Sequence, residues 1–240
     1  MTDGIDTLKS EAPIGIIGAM ESEVSSLISR LDGHRVESMC GIDFHLGRLF
    51  DKPVVVARCG IGKVFAAMCA TAMILNYSPR LVINTGVGGA LIPELKPLDI
   101  VFSDRLCQQD MDTSALGDPV GLISGINRIY FDTDRRALDI LVRAAHGEGI
   151  SHRIGGIATA DRFVSDYSEK LKIADTFGAV ACEMEGGAIA QVAFVSKTPF
   201  IVVRAISDSL MGDASMEYAA FLPRAAEIST ALTLSLVREY

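Results

Sequence analysis

The chain is short of positive charge, of paired cysteines and of long apolar runs, and each shortage closes off a class of protein. Lys and Arg total 22 against 30 Asp and Glu, for a net charge of -8. A protein that tracks a polyphosphate backbone carries a basic footprint instead, so no nucleic-acid partner is expected. The 5 cysteines are odd in number and form no Cys-x-x-Cys pair. That argues against a disulfide framework or a zinc ribbon and fits a reducing compartment. The histidines, His34, His45, His146 and His152, fall at no metal-ligand spacing. Metal catalysis and a Ser-His-Asp triad therefore lack support, and no metal or organic cofactor is expected. No stretch reaches the roughly 18 apolar residues of a membrane span. The longest uncharged run, residues 64–79, is broken by Asn76, Ser78 and Pro79 and reads as a buried helix. The start, Met1-Thr2-Asp3-Gly4-Ile5-Asp6, lacks the basic opening and apolar core of a signal peptide. A soluble, cytoplasmic protein with no membrane partner is the expectation.

What is present is ordinary globular composition, 49% hydrophobic and 22% charged over 240 residues. Residues 1–12 are polar and aperiodic, which suggests a flexible tail before one domain over 13–240. Ile14-Gly15-Ile16-Ile17-Gly18 reads as a buried strand. Val24, Leu27, Ile28 and Leu31 follow at helical spacing. Residues 35–40 and 44–49 suggest a hairpin, and 54–58 another buried strand with a helix over 63–75. A strand over 81–84 runs into Gly86-Val87-Gly88-Gly89. Later strands are expected at 154–158, 179–182 and 200–206, with helices at 167–176, 186–195 and 218–238. Apolar strands alternating with helices imply an α/β fold in three layers, a mixed and largely parallel central sheet flanked by helices. The least regular region, 107–130, is rich in Asp, Gly and Ser and has the length of a functional or interface loop.

In open parallel sheets ligands bind beyond the carboxyl ends of the strands. The unusual polar residues of this chain fall at such ends: Met20, Glu21 and Glu23 after the first strand, Gly60-Ile61-Gly62 after 54–58, and the 86–89 glycines after 81–84. Asp161, Phe163 and Val164 follow 154–158, Glu183-Met184-Glu185 follows 179–182, and Ser207-Asp208 follows 200–206. If the strands are neighbours, these segments share one rim. Plainer readings stand beside this one. Glu23 can be a helix-start acid, Glu183 and Glu185 can favour a helix amino terminus, and Asp208 can be an N-cap. Arg204, inside an apolar strand, reads as a structural ion pair. Gly60-Ile61-Gly62-Lys63 lacks the phosphate-loop spacing, and Val64 stands where that loop needs a hydroxyl.

Taken together, the segments resemble the 5′-methylthioadenosine/S-adenosylhomocysteine nucleosidase family of the nucleoside phosphorylase superfamily. Ile16 to Val24 is similar to its opening signature. Cys59-Gly60-Ile61-Gly62-Lys63-Val64, Asn84-Thr85-Gly86, Ala181-Cys182-Glu183-Met184-Glu185-Gly186 and Val203-Arg204-Ala205-Ile206-Ser207-Asp208 follow in the family's order. The resemblance implies hydrolysis of the N-glycosidic bond of an adenine thionucleoside by a homodimer, without a cofactor. By the family pattern Glu23 activates water and Asp208, with Ser207 beside it, serves the purine. Glu183, Met184 and Glu185 hold the ribose, Phe163 and Val164 contact adenine, and Met20 and Ile61 contact ribose or the alkylthio group. Val87 and Gly88 fall in the family's Gly-rich block, and Tyr218 closes the pocket. Two departures stand out. Gly86-Val87-Gly88-Gly89 lacks the hydroxyl that relatives often carry there, and Gln109 replaces a histidine before Asp110-Met111-Asp112.

The chemistry asks for the same residue types. A departing purine leaves an oxocarbenium-like sugar, which a carboxylate stabilises. The purine leaves more easily once N7 is protonated, and water on the opposite face needs a base. Two other readings remain open: a purine or uridine nucleoside phosphorylase, which needs a cationic anion site where this chain has Asn84, and a noncatalytic nucleoside-binding protein.

Overall fold

The computed structural model describes residues 12–240, so the tail expected over 1–12 lies almost wholly outside the described residues. Strand β1 (Ile14–Gly18) is buried at every position, as a strand covered on both faces must be. Helix α1 (Glu21–Ile28) stops before Leu31, which is buried beyond the helix end. Strands β2 (Asp32–Met39) and β3 (Ile42–Leu49) form the expected antiparallel hairpin. Its two-residue turn, Cys40-Gly41, has φ of 54° and 74°, the conformation whose twist matches a hairpin. Next come β4 (Lys52–Arg58), α2 (Lys63–Tyr77) and β5 (Leu81–Ala90).

Strand β5 differs from the sequence expectation. It runs ten residues, straight through Gly86, Gly88 and Gly89, beyond the expected end of the strand at 84. These glycines serve close approach within the sheet: a Cβ on Gly88 would lie 2.9 Å from the Cys182 carbonyl oxygen. Beside the two-residue strand at Phe131–Asp132, two longer elements had no counterpart in the sequence reading, β6 (Ile100–Gln108) and α3 (Arg135–Glu148). The helix opens at Asp134, whose side chain accepts from the Ala137 amide, and buries Ala137, Leu138, Leu141 and Ala145 on one stripe. Short β7 (Phe131–Asp132), β8 (His152–Thr159), α4 (Tyr167–Phe177), β9 (Ala179–Glu183), α5 (Gly186–Val195) and β10 (Phe200–Asp208) follow. Helix α6 (Ala214–Glu239) starts four residues earlier than expected, because Asp213 caps it by accepting from the Met216 amide. Between β6 and β7 the regular structure is a single 3-10 turn, Ser114–Leu116.

The strands make one mixed sheet, with parallel and antiparallel pairings in equal number among the described residues. One wing runs β2-β3-β4-β1-β5. From β5 the sheet curls, since β5 pairs with both β10 and β9, and β10-β6-β8-β9 closes the ring. Alternation along the strands fills two large cores, with a third, smaller one where Ala158 and Cys182 meet Ile173 and Phe177 of α4. Ile17, Val55, Val82 and Val202 pack on α2 and α5. Ile16, Val56, Ile83 and Val203 pack on α1, α3 and α6. Each such apolar side chain contributes on the order of 1.5–3 kcal/mol on burial. The sheet is thereby held between two helical layers, and the ends of β1, β5, β9 and β10 meet at one rim.

Candidate active site

A partly open cleft lies at that rim, concave and walled by both apolar and charged side chains, as small-molecule sites are. Its walls contain Met20, Glu23, Ile61, Val87, Gly88, Phe163, Val164, Glu183, Met184, Glu185, Ser207, Asp208 and Tyr218. Gly89, one of the glycines read at the strand end, also lines it, and Ala19, Arg162 and Cys182 complete it without having been named as site residues from sequence.

Glu23 sits at the third position of α1 and turns back over the helix start. Its Oε2 accepts from the Ala19 amide at 2.7 Å and the Met20 amide at 2.9 Å. Its Oε1 accepts from the Val87 amide at 3.2 Å, which ties α1 to β5. The capping role is real, as the plainer reading had it, but the carboxyl is not solvated: Glu23 is 4% exposed. Burial raises its pKa, against the opposing pull of Arg204 and the three amides. Gly86 is required beneath it. A Cβ there would stand 2.5 Å from Oε1, with Arg204 on its other side.

Arg204, fully buried in β10, organises the second carboxylate group. Its Nη2 donates to Glu183 Oε2 and to Asn84 Oδ1, and lies 3.8 Å from Glu185 Oε2. Asn84 is fixed in turn by donating to the Ile17 carbonyl. Glu183 has little capacity left for a ligand. It accepts from Arg204, from Thr159 Oγ1, and from the Glu185 and Gly186 amides that open α5. Glu185 is different: Oε1 accepts from the Gly62 amide at 2.8 Å, and Oε2 has only the distant guanidinium. Gly62 holds a φ of 98°, so the amide that reaches Glu185 depends on glycine at that turn.

Burial pushes the Glu185 pKa up to about 7, with the Glu183 charge adding to the effect and Arg204 opposing it. The sign for stability follows. Folding favours protonated Glu185, so its contribution is full below the ordinary glutamate range and is lost as pH rises through about 7. Glu185→Gln removes that loss and keeps the Gly62 bond. The variant is expected to lose less melting temperature than the wild type between about pH 5 and about pH 8. The difference is on the order of a few kcal/mol, or several degrees in a calorimetric scan.

The third acid lies at the end of β10. The register of β10 on β5 shifts between Ile206 and Asp208, which sets Asp208 opposite Gly89. Such a bulge re-aims side chains at a sheet end. Asp208 Oδ1 accepts from Ser207 Oγ at 2.9 Å, and Oδ2 accepts from Lys170 Nζ at 2.8 Å. Glu23 touches Val87 and Asp208 lies against Gly89, two residues apart on one strand, or about 7 Å. Lys170 escaped the sequence reading. The signal was present in α4, where Lys170, Ile173 and Phe177 share one buried stripe and the lysine occupies a position that periodicity assigns to an apolar residue.

Apolar and aromatic groups close the space between the acids. Phe163 and Tyr218 meet edge to face at 5.6 Å between ring centres, and the Tyr218 hydroxyl donates to Met20 Sδ at 3.3 Å. Burial and the site's acids raise the Tyr218 pKa, so its hydroxyl stays neutral. Ile61 and Phe163 remain half exposed at the mouth. Arg162, the basic residue of the wall, is turned to solvent and pairs with Glu169. Among the described residues no group of three or more His, Cys, Asp and Glu is arranged to hold a metal ion.

The family model described as the phosphorylase superfamily matches residues 13–238. A 5′-methylthioadenosine/S-adenosylhomocysteine nucleosidase of Shewanella loihica is 37% identical over 94% of this chain and 98% of its own. The chain belongs to this nucleosidase family within the phosphorylase superfamily. Solved members share its shape. The Neisseria meningitidis 5′-methylthioadenosine/S-adenosylhomocysteine nucleosidase, in complex with methylthio-immucillin-A, superposes with a TM-score of 0.91 at 33% identity, covering 95% of this chain and 100% of that one. The futalosine hydrolase of Helicobacter pylori gives 0.90 at 33% identity, over 95% and 98% of the two chains. The family resemblance read from Glu-Met-Glu and Arg-Ala-Ile-Ser-Asp therefore extends over nearly the whole described chain.

Proposed function

We propose that the chain hydrolyses the N-glycosidic bond of 5′-methylthioadenosine and S-adenosylhomocysteine, releasing adenine and the corresponding thioribose. In this reading Glu23, as carboxylate, takes a proton from water on one face of the sugar. Asp208 donates to purine N7 from the other side. Glu185 Oε2 accepts from the ribose hydroxyls, and Glu183 holds Arg204 and the start of α5 in place. Phe163, Val164 and Met184 pack the base and sugar, Val87 and Gly88 line the floor, and Met20, Ile61 and Tyr218 face the 5′ substituent.

One observation carries hydrolysis over phosphorolysis. The buried guanidinium nearest the sugar site, Arg204, is committed to Glu183 and Asn84, and Glu23 stands beside it. A phosphate placed there would face a carboxylate, a repulsion of about 4 kcal/mol at 4 Å and an effective dielectric of 20. Product analysis by chromatography tests this. Adenine and free thioribose are expected at the same rate with or without inorganic phosphate. A phosphate-dependent rate with a sugar 1-phosphate product would overturn the reading.

We also infer a homodimer. The outer face of α2 and α5 exposes Val64 at 77% and Val195 at 61%, with Ala67 and Val192 between them. Apolar residues grouped this way favour a partner surface. Light scattering is expected to give twice the chain mass for the wild type and the chain mass for Val64→Glu combined with Val195→Glu. Among the described residues no helix is long and apolar enough to cross a membrane, and a cytoplasmic location completes the proposal.

A further inference from the structure

The Lys170–Asp208 pair is an unusual object to find where an acid is needed. Both side chains are sealed from solvent, at 0% and 2% exposure. Lys170 Nζ donates to Asp208 Oδ2 and to the Ser209 carbonyl, both at 2.8 Å, so α4 is pinned to the end of β10 and the residue that follows it. A buried pair of this kind is a weak contributor to stability, because desolvation offsets the attraction. Its position is the more informative fact. With Oδ2 tied to the ammonium, Oδ1 is the oxygen that can take up a proton, the Ser207 hydroxyl that donates to it having the Gly88 carbonyl as its other acceptor.

We propose that Lys170 is a positioning residue for the leaving-group side of the reaction: its ammonium orients the Asp208 carboxyl with Oδ1 toward the purine and stabilises the carboxylate that remains once N7 has taken the proton. This rests on the reading of Asp208 as the donor to N7. In the step itself the Oδ1–H bond breaks as the N7–H bond forms, and the electron pair of the C1′–N9 bond passes into the purine. The new carboxylate then faces a cation 2.8 Å away in a dry wall, where an isolated charge would be strongly disfavoured. Water returns the proton to Asp208 after adenine departs, balancing the proton that Glu23 removes from the attacking water.

The other groups around Asp208 do not supply that countercharge. Cys182 on β9 is a neutral thiol, its pKa pushed up to about 12 by burial. Tyr218 on α6 is a neutral phenol. Glu217 on α6 accepts from the Ser209 amide and hydroxyl, and Arg162 is engaged with Glu169. The carboxyls of Glu23, Glu183 and Glu185 carry the wrong sign.

The test is the pH profile of kcat for Lys170→Met, Lys170→Gln and Lys170→Arg, with Asp208→Asn as reference. A buried carboxyl without its countercharge takes up a proton, so both neutral variants are expected to fold, and glutamine can still donate to Asp208 Oδ2. In both, kcat should fall at least about tenfold with little change in KM. The alkaline limb should move up by about 1–3 pH units, the range an opposite charge at this distance commands. Lys170→Arg should leave the limb in place. If the limb stays put in both neutral variants while Asp208→Asn is inactive, or if neither variant folds even at about pH 6, the inference falls. If Asp208→Asn itself turns over near the wild-type rate, the underlying reading of Asp208 is what fails.

Discussion

Glu23→Gln is expected to lower kcat by about 10²–10⁴-fold while leaving KM and the fold nearly unchanged. The glutamine carbonyl oxygen can still accept from the Ala19 and Met20 amides, so the start of α1 keeps its closure. What the variant cannot do is take a proton from water or face the developing sugar cation with a negative charge. A pH profile supplies a second check. Burial raises the Glu23 pKa, and the base must be ionised to act. The wild-type acid limb of kcat/KM should therefore lie above the ordinary glutamate range, and the residual activity of Glu23→Gln should lack that limb. Near-native turnover in the variant would remove Glu23 from the mechanism.

The site was legible in the sequence because its polar residues come directly after apolar strands, and strand ends are fixed by hydrophobic runs. Ile14–Gly18 delivers Glu23, Ala179–Glu183 delivers Glu185, and Phe200–Asp208 delivers Asp208. The same logic located Phe163 and Val164 after β8. It failed where a residue acts across the layers. Lys170 lies on a helix far from any strand end; its place on the buried stripe of α4 marks it as buried, but nothing local names Asp208 as its partner. Thr159 and Asn84 likewise take their roles from partners distant in sequence, Glu183 and Arg204. The sheet was harder still. Gly86, Gly88 and Gly89 look like the end of a strand in one dimension and are in-strand contacts in three. Strand β6 passed unread because Ile100-Val101-Phe102 is short, and the charged and polar residues after it hide the pairing with β8. Whether neighbours run parallel or antiparallel depends on how β5 is shared between β9 and β10, a long-range choice that strand composition does not encode.

Asp208→Asn is expected to cause an equal or larger loss, about 10²–10⁴-fold in kcat, and for a reason that separates it from Glu23. Asparagine fills the same volume: with its oxygen toward Lys170 it still accepts there, and its NH2 in the Oδ1 position can donate to Ser207 Oγ and to purine N7. The variant therefore retains a hydrogen bond to the base and should bind substrate with a dissociation constant close to the wild type's. It cannot release a proton, so the purine would have to leave as an anion. A leaving group that departs as a stable anion needs no such proton. Replacing adenine by p-nitrophenol on the same 5-methylthioribose should therefore restore most of the rate in Asp208→Asn but not in Glu23→Gln, since water must still be activated. The measurement is a pair of kcat values for each variant, one per leaving group. An equal loss on both substrates in Asp208→Asn would show that Asp208 shapes the pocket and does not protonate the base.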